Sequence, residues 1–339
     1  MQQAALGLSV NEAAVGEIVG RLVDDHRARL NGGVYKGYPP LKGDDGSGMK
    51  TKHPVVGIEL RGGLGNQLFQ YAAGLALADR LGGELRCRSS GAARSITRPL
   101  GLREFGLTWA ECQSPRARGT LRALVRWFGA EESRDFRGCV FFEEEFGRFD
   151  ARFNDVTSTC YLDGYFQSWR YFEGRETLIR NAFDTDKLAR RNVEVEAAIR
   201  EANHPVAIHV RRGDYALEPA TMAFHGLLGA DYYQRARRLI ETAVADPTYF
   251  LFSDDQAAAG AELGDWPTMP AGVNSAHEDL RLMSLCEHFI IANSTFSWWG
   301  AWLGRAHGKL VVAPQNWFAP AHAHKTVIDD RYPPDWIRT

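Results

Sequence analysis

The stretch PVAIHVRRGDY, residues 205–215, sets a short apolar run directly against two adjacent arginines. A run of that length bounded by turn residues reads as a strand buried on both faces. Downstream, YYQRARRLIETAVA (232–245) has helical spacing and TYFLFS (248–253) is a second apolar strand. A helix around EDLRLMSLC (278–286), the strand HFIIAN (288–293), a helix SWWGAWLG (297–304) and the strand KLVVA (309–313) follow. Upstream the same order recurs: VVGIEL (55–60) reads as a strand, RGGLG as a turn, and NQLFQYAAGLALADRL as a helix stopped by Gly82-Gly83. Strands alternating with helices predict right-handed crossovers and parallel sheets, so the fold class is α/β.

The chain has 339 residues, 45% of them apolar and 24% charged, which predicts a globular protein of about two domains. A net charge of −2 lacks the basic excess of a nucleic-acid binder. The five cysteines, Cys87, Cys112, Cys139, Cys160 and Cys286, have no metal-site spacing and suit a reducing compartment. The start lacks the pattern of a signal peptide and no apolar stretch is long enough to span a bilayer, so a cytoplasmic location is expected. Ser9 and Glu12 have capping-box spacing, and Val15, Ile18, Val19, Leu22 and Val23 form an apolar stripe. Residues 1–48 therefore read as an N-terminal amphipathic helix and a linker, VYKGYPPLKGDDGSGMK, with no assigned role.

Ligands of parallel α/β sheets sit beyond the carboxyl ends of the strands. Four such ends are polar here. The first, Arg61 to Gln67, brings a Gly-rich turn to a helix start, where backbone N–H groups receive anions, and makes Gly65, Asn66 and Gln67 candidates. It fits neither the dinucleotide fingerprint nor a phosphate-binding P-loop. At the second end, guanidinium forks match phosphate oxygens. Neighbours on a strand face opposite sides, so one of Arg211 and Arg212 meets the ligand while the other anchors the loop, with Asp214 as the anchor's partner or a general base. His209 is either a core histidine or a base-reading group. The third end is Ser253-Asp254-Asp255, whose carboxylates suit a guanine N–H pair better than a metal. The fourth, Asn293-Ser294-Thr295-Phe296-Ser297, is either an ordinary helix cap or a phosphate site. Asp184-Thr185-Asp186 reads as helix-start capping, and Trp298, Trp299 and Trp302 as core packing.

The strings GGLGNQLFQYA, HVRRGDY, SDD and NSTFSWWGAWL, in this order, resemble those of the α-1,2-fucosyltransferases of glycosyltransferase family 11 over about residues 53–320. GYFQSWRYF (164–172) is similar to that family's central aromatic string. The resemblance implies a GT-B type architecture of two Rossmann-like lobes facing a cleft. It divides the chain into an acceptor-side lobe (53–200), a lobe binding GDP-fucose (201–325) and a C-terminal tail (326–339). It implies inverting, metal-independent transfer of L-fucose from GDP-fucose to the 2-hydroxyl of a terminal galactose, with no cofactor beyond the donor substrate. Arg211 would contact the β-phosphate and His209 with Asp254 or Asp255 the guanine, while Ser294, Thr295 and the Asn66-Gln67 amides would surround the pyrophosphate and fucose. Asp214 and Glu218 are the candidate bases, and Tyr165, Trp169 and Tyr171 the candidate rings for a galactose-terminated glycan. The nearer likeness is to bacterial members, for which a membrane-linked acceptor implies peripheral membrane association; the oligomeric state stays open.

Overall fold

The computed structural model describes residues 53–89, 100–112, 139–143, 145, 147–212, 219–319 and 328–339. The amphipathic helix read within residues 1–48 lies outside them, as do Asp214 and Glu218. The described strands are β1 (Val55–Leu60), β2 (Glu84–Ser89), β3 (Ala110–Glu111), β4 (Cys139–Phe142), β5 (Cys160–Asp163), β6 (Pro205–Val210), β7 (Thr248–Ser253), β8 (Met269–Pro270), β9 (His288–Ile290), β10 (Val311–Ala313) and β11 (Ile337–Arg338). They form two sheets, ordered β3-β2-β1-β5-β4 and β11-β10-β9-β6-β7-β8, and every pairing among them is parallel. The parallel sheets are those that the alternation of strands and helices predicted, and their division into two is what the family resemblance implied.

The described helices are α1 (Leu64–Leu81), α2 (Glu176–Ala182), α3 (Val193–Glu201), α4 (Pro219–His225), α5 (Ala230–Ala243), α6 (Gln256–Leu263), α7 (Ala276–Leu285) and α8 (Thr295–Leu303). Helix α1 stops where Gly82 takes φ 60°, and the Gly82 and Gly83 N–H groups then satisfy the carbonyls of Asp79 and Ala78. Helix α8 is buried along most of its length, as its tryptophan-rich sequence requires. Its last carbonyls accept from the Lys309 ammonium (Ala301 at 2.7 Å, Gly304 at 2.8 Å) and the Arg180 guanidinium (Trp302 at 2.6 Å). The Arg180 charge thus complements the negative end of its dipole, while burial, and then the Arg180 charge, pulls the Lys309 ammonium down to about 7 and leaves it partly charged at neutral pH.

The two lobes share one core. Phe69 of α1 lies 4.6 Å from Trp298 and 5.0 Å from Trp299 between ring centroids, and Phe172 stacks on Trp299 at 5.5 Å. Trp298, Trp299 and Trp302 are therefore packing residues that weld α8 to the first lobe, each aromatic pair adding about 0.5–1.5 kcal/mol beyond area burial. A second cluster fills the other face of the second sheet, between Val206, Ile208 and Val210 of β6 and Tyr232, Tyr233 and Ile240 of α5.

Of the residues set apart above as a C-terminal tail, the described ones, 328–339, are part of the body. They supply edge strand β11, and Arg331, Tyr332 and Trp336 are buried. Ser168 Oγ donates to the Asp330 carbonyl at 2.6 Å, and the Arg331 carbonyl accepts from Trp298 Nε1 at 2.9 Å. The segment straps the first lobe to α8, a role invisible in a stretch too short and polar to show periodicity. Cys87, Cys112, Cys160 and Cys286 are free buried thiols.

Candidate functional site

Alternation along β6 sorts its side chains. Val206, Ile208 and Val210 enter the α5 core, while Ala207 belongs to the other face. Extended past the strand end, the same parity separates the two arginines. Arg212 is buried, pairs with Glu262 of α6 at 2.6 Å and donates to the Leu228 carbonyl at 2.9 Å. It is the anchor, with Glu262 as its carboxylate partner among the described residues; Asp214 lies outside them. Arg211 stays one-quarter exposed, its Nε 3.1 Å from Asp254 Oδ2. Asp254 Oδ1 accepts the Arg212 backbone N–H at 2.8 Å, so one carboxylate fixes the turn and aims the Arg211 guanidinium.

That geometry changes the part expected of the two aspartates. Asp254 is engaged by the arginine loop, and Asp255 caps α6 by accepting the Ala258 N–H at 3.0 Å. His209 is buried against Phe296, ring centroids 5.6 Å apart. Burial, and secondarily the Arg211 charge, pulls its imidazole down to about 3, so it is neutral at physiological pH. Its Nδ1 is buried with no hydrogen-bond partner among the described residues, a rare state for a polar atom in a core.

The start of α8 faces the start of α1. The Ser294 hydroxyl caps α8, accepting the Phe296 N–H at 3.3 Å. Asn293 Nδ2 ties down the carbonyls of His225 (3.0 Å) and Trp317 (3.1 Å), and the buried Ser297 hydroxyl donates to the Ser294 carbonyl at 3.1 Å. These two side chains build the turn. Thr295 instead reaches the other lobe, its hydroxyl donating to Asn66 Oδ1 at 2.9 Å.

The Gly-rich turn is a joint between lobes. A Cβ on Gly65 would lie 2.4 Å from the Thr295 carbonyl carbon and 2.5 Å from the Phe296 nitrogen, so only glycine lets the helix starts touch. Gln67 is fully buried: Nε2 donates to the Gly62 carbonyl at 2.8 Å and Oε1 accepts the Gly101 N–H at 2.9 Å. Its amide is spent on backbone groups of its own lobe, and of the pair only Asn66 stands at the edge. The sequence sees glycines and amides at a helix start, but an anion cradle and a close backbone crossing require the same residues.

Of the acceptor rings, Tyr171 is buried, its hydroxyl accepting the Asp150 N–H and donating to the Arg148 carbonyl, each at 3.1 Å. It belongs to the core and is withdrawn as an acceptor residue. Trp169 packs half-buried on the main core. Tyr165, also half-buried, lies beneath the Arg61 guanidinium, 4.9 Å from its ring centre, and Arg61 pairs with Asp163 at 3.1 Å. Asp184 caps the short turn Thr185–Lys187, and both Asp184 and Asp186 pair with Arg305.

Sequence reasoning passed over Asp163, Gln167, Asp279 and Arg331. Gln167 sits inside a string noticed only for its rings. Asp279, at the start of α7, has its carboxyl lifted to about 6 by burial although Asn274 donates to it at 2.9 Å. Among the described residues no helix is long and apolar enough to cross a membrane.

The family model described as Glycosyl transferase family 11 matches residues 135–339. An O-antigen biosynthesis glycosyltransferase, WbnK, of Escherichia coli is 30% identical over 80% of this chain and 97% of its own length. An alpha-1,2-colitosyltransferase of Escherichia coli is 28% identical over 84% and 98%. A galactoside 2-alpha-L-fucosyltransferase, Sec1, of Mus musculus is 25% identical over 83% and 72%. Among solved structures, the alpha-1,6-fucosyltransferase NodZ soaked with GDP-fucose aligns with a TM-score of 0.42 at 17% identity, over 74% of this chain and 93% of that one.

Proposed function

Because the chain belongs to glycosyl transferase family 11 and is a glycosyltransferase, we propose that it moves L-fucose from GDP-fucose to the 2-hydroxyl of a terminal galactose, with inversion and without a metal ion. The observation that carries this reading is Arg211, a guanidinium aimed by Asp254 and one-quarter exposed at the carboxyl end of β6. A departing nucleoside diphosphate needs positive charge where the sugar–phosphate oxygen gains its electron pair. Arg211 and the positive end of the α8 dipole supply it. The unpartnered Nδ1 of the neutral His209 is a handle for the guanine. The acceptor hydroxyl attacks the anomeric carbon, its proton passing to Asp214 or Glu218, as the C–O bond to GDP breaks. Tyr165, under Arg61, is the ring on which the galactose would rest.

Names of relatives support the linkage: one is an alpha-1,2-colitosyltransferase and another a galactoside 2-alpha-L-fucosyltransferase. The former favours a second reading, in which colitose replaces fucose on the same frame. The chain is proposed to work in the cytoplasm on a membrane-linked glycan. The decisive experiment offers GDP-fucose and GDP-colitose with lactose and type 1 and type 2 termini, in EDTA, and follows GDP release and the anomeric signal of the product. An α-1,2-fucosylated galactoside is expected. No transfer, or activity abolished by EDTA, refutes the reading, and faster transfer of colitose installs the second.

A further inference from the structure

Asn66 Oδ1 accepts two hydrogen bonds, from Gln167 Nε2 at 2.8 Å and from the Thr295 hydroxyl at 2.9 Å. Gln167 Oε1 in turn accepts from the guanidinium of Arg331, which is fully buried, 4.4 Å from the Trp317 ring centre. The oxygen and nitrogen ends of an amide are ordinarily interchangeable in shape, and the hydrogen-bond network decides between them. Here one end of the network admits no choice, because a guanidinium only donates. Arg331 therefore turns the Gln167 oxygen toward itself and the Gln167 NH₂ toward Asn66. That sets the Asn66 oxygen inward, draws the Thr295 proton onto it, and leaves Asn66 Nδ2 as a donor with no acceptor among the described residues. Thr295 keeps only lone pairs to offer a ligand.

We propose that Arg331 and Gln167 are positioning residues that fix the polarity of a pair, the Asn66 amide N–H and the Thr295 oxygen, and that this pair binds a hydroxyl of the transferred sugar. A hydroxyl donates one hydrogen bond and accepts others, which a donor beside an acceptor satisfies. A pyrophosphate oxygen only accepts, so Thr295 Oγ turns away from the phosphates, which the Arg211 guanidinium and the α8 backbone serve. Room for error is small, because the Gly65 and Thr295 backbones already touch and the Arg331 carbonyl is bonded to Trp298 of α8. The strap thus holds α8 with its main chain and orients the opposite lobe with its side chain. This inference rests on the GDP-fucose reading for the identity of the ligand, but the polarity is a property of the protein alone.

The test is Gln167→Glu in the full chain. The carboxylate keeps its size and its pairing with Arg331 and has no N–H for Asn66. Turnover of GDP-fucose is expected to fall about a hundredfold, chiefly in kcat, with GDP affinity within about threefold and the melting temperature unchanged. Unchanged kcat, or GDP affinity falling as far as turnover, overturns the proposal. Neutron diffraction on the parent protein reads the polarity without turnover: deuterium between Thr295 and Asn66 is expected, and deuterium on Thr295 pointing elsewhere overturns it. An inactive parent with the expected deuterium positions would count against the donor sugar and leave the relay standing.

Discussion

At the carboxyl edge of β6 and β7, Arg211, Arg212 and Asp254 form a charged turn in which one arginine is buried and one is held partly open. Past the edge of β1, whose Arg61 pairs with Asp163, the Gly62–Gln67 turn carries no charge: Gly65 lets the two lobes touch, and the Gln67 amide bonds backbone groups of its own lobe. Both edges begin as the same motif, an apolar strand ending in polar residues. The difference teaches that the edge proposed to meet the diphosphate is marked by a charge whose partner aims it without covering it. An edge used as a joint spends its polar atoms on neighbouring protein groups and keeps only the Asn66 N–H at its margin.

The largest effect should come from breaking the buried half of the charged edge. Arg212→Ala strands Glu262 and the Leu228 carbonyl, and removal of one partner from a buried pair costs about 3 kcal/mol or more. Urea unfolding should show that loss, with GDP affinity of the surviving folded fraction little changed. Arg211→Ala should do the reverse. Its partly exposed pair with Asp254 is worth about 1 kcal/mol or less in stability. Losing a donor to the departing diphosphate should cost about 3 kcal/mol in the transition state, or about a hundredfold in turnover. If the two variants exchange phenotypes, the assignment of anchor and ligand arginine is inverted.

The joint is tested at Gly65. Alanine there pushes against the Thr295 and Phe296 backbone, which cannot rotate out of the way, and overpacking of this kind costs about 1–3 kcal/mol. The melting temperature should drop and turnover should fall with it. A stable Gly65→Ala chain with full turnover would return the turn to the role of an anion cradle.

The parity of Arg211 and Arg212 was legible in the sequence because period-two alternation is a property of the strand itself. The tryptophan core was legible too, because helical spacing within SWWGAWLG leaves few faces open. The joint at Gly65, the strap through Arg331 and the commitment of Asp254 to the arginine turn were not. Each joins residues more than forty positions apart, and no local periodicity records such a contact. Tyr171 misled for a related reason: an aromatic string gives no sign of which ring turns inward.

The smallest effect concerns the margin of the joint, where His277 of α7 reaches the Gly101 carbonyl at 2.8 Å and Asp279 follows one half-turn later. Burial raises the Asp279 carboxyl from 3.8 to about 6, aided by the nearby Glu278 charge and opposed by Asn274. The folded chain therefore holds this proton more tightly than the unfolded chain does. As pH rises from about 4 to about 6 the unfolded state releases its proton first, so the group's contribution makes folding less favourable; below about 4 both states are protonated and the penalty vanishes. Asp279→Asn keeps an oxygen for Asn274 and carries no charge. It should stabilise the protein by about 1–2 kcal/mol at pH 7 and leave it unchanged at pH 4, as thermal unfolding at the two pH values will show. A shift of equal size at both pH values would mean that the amide acts through packing, and that this margin of the joint carries no electrostatic strain.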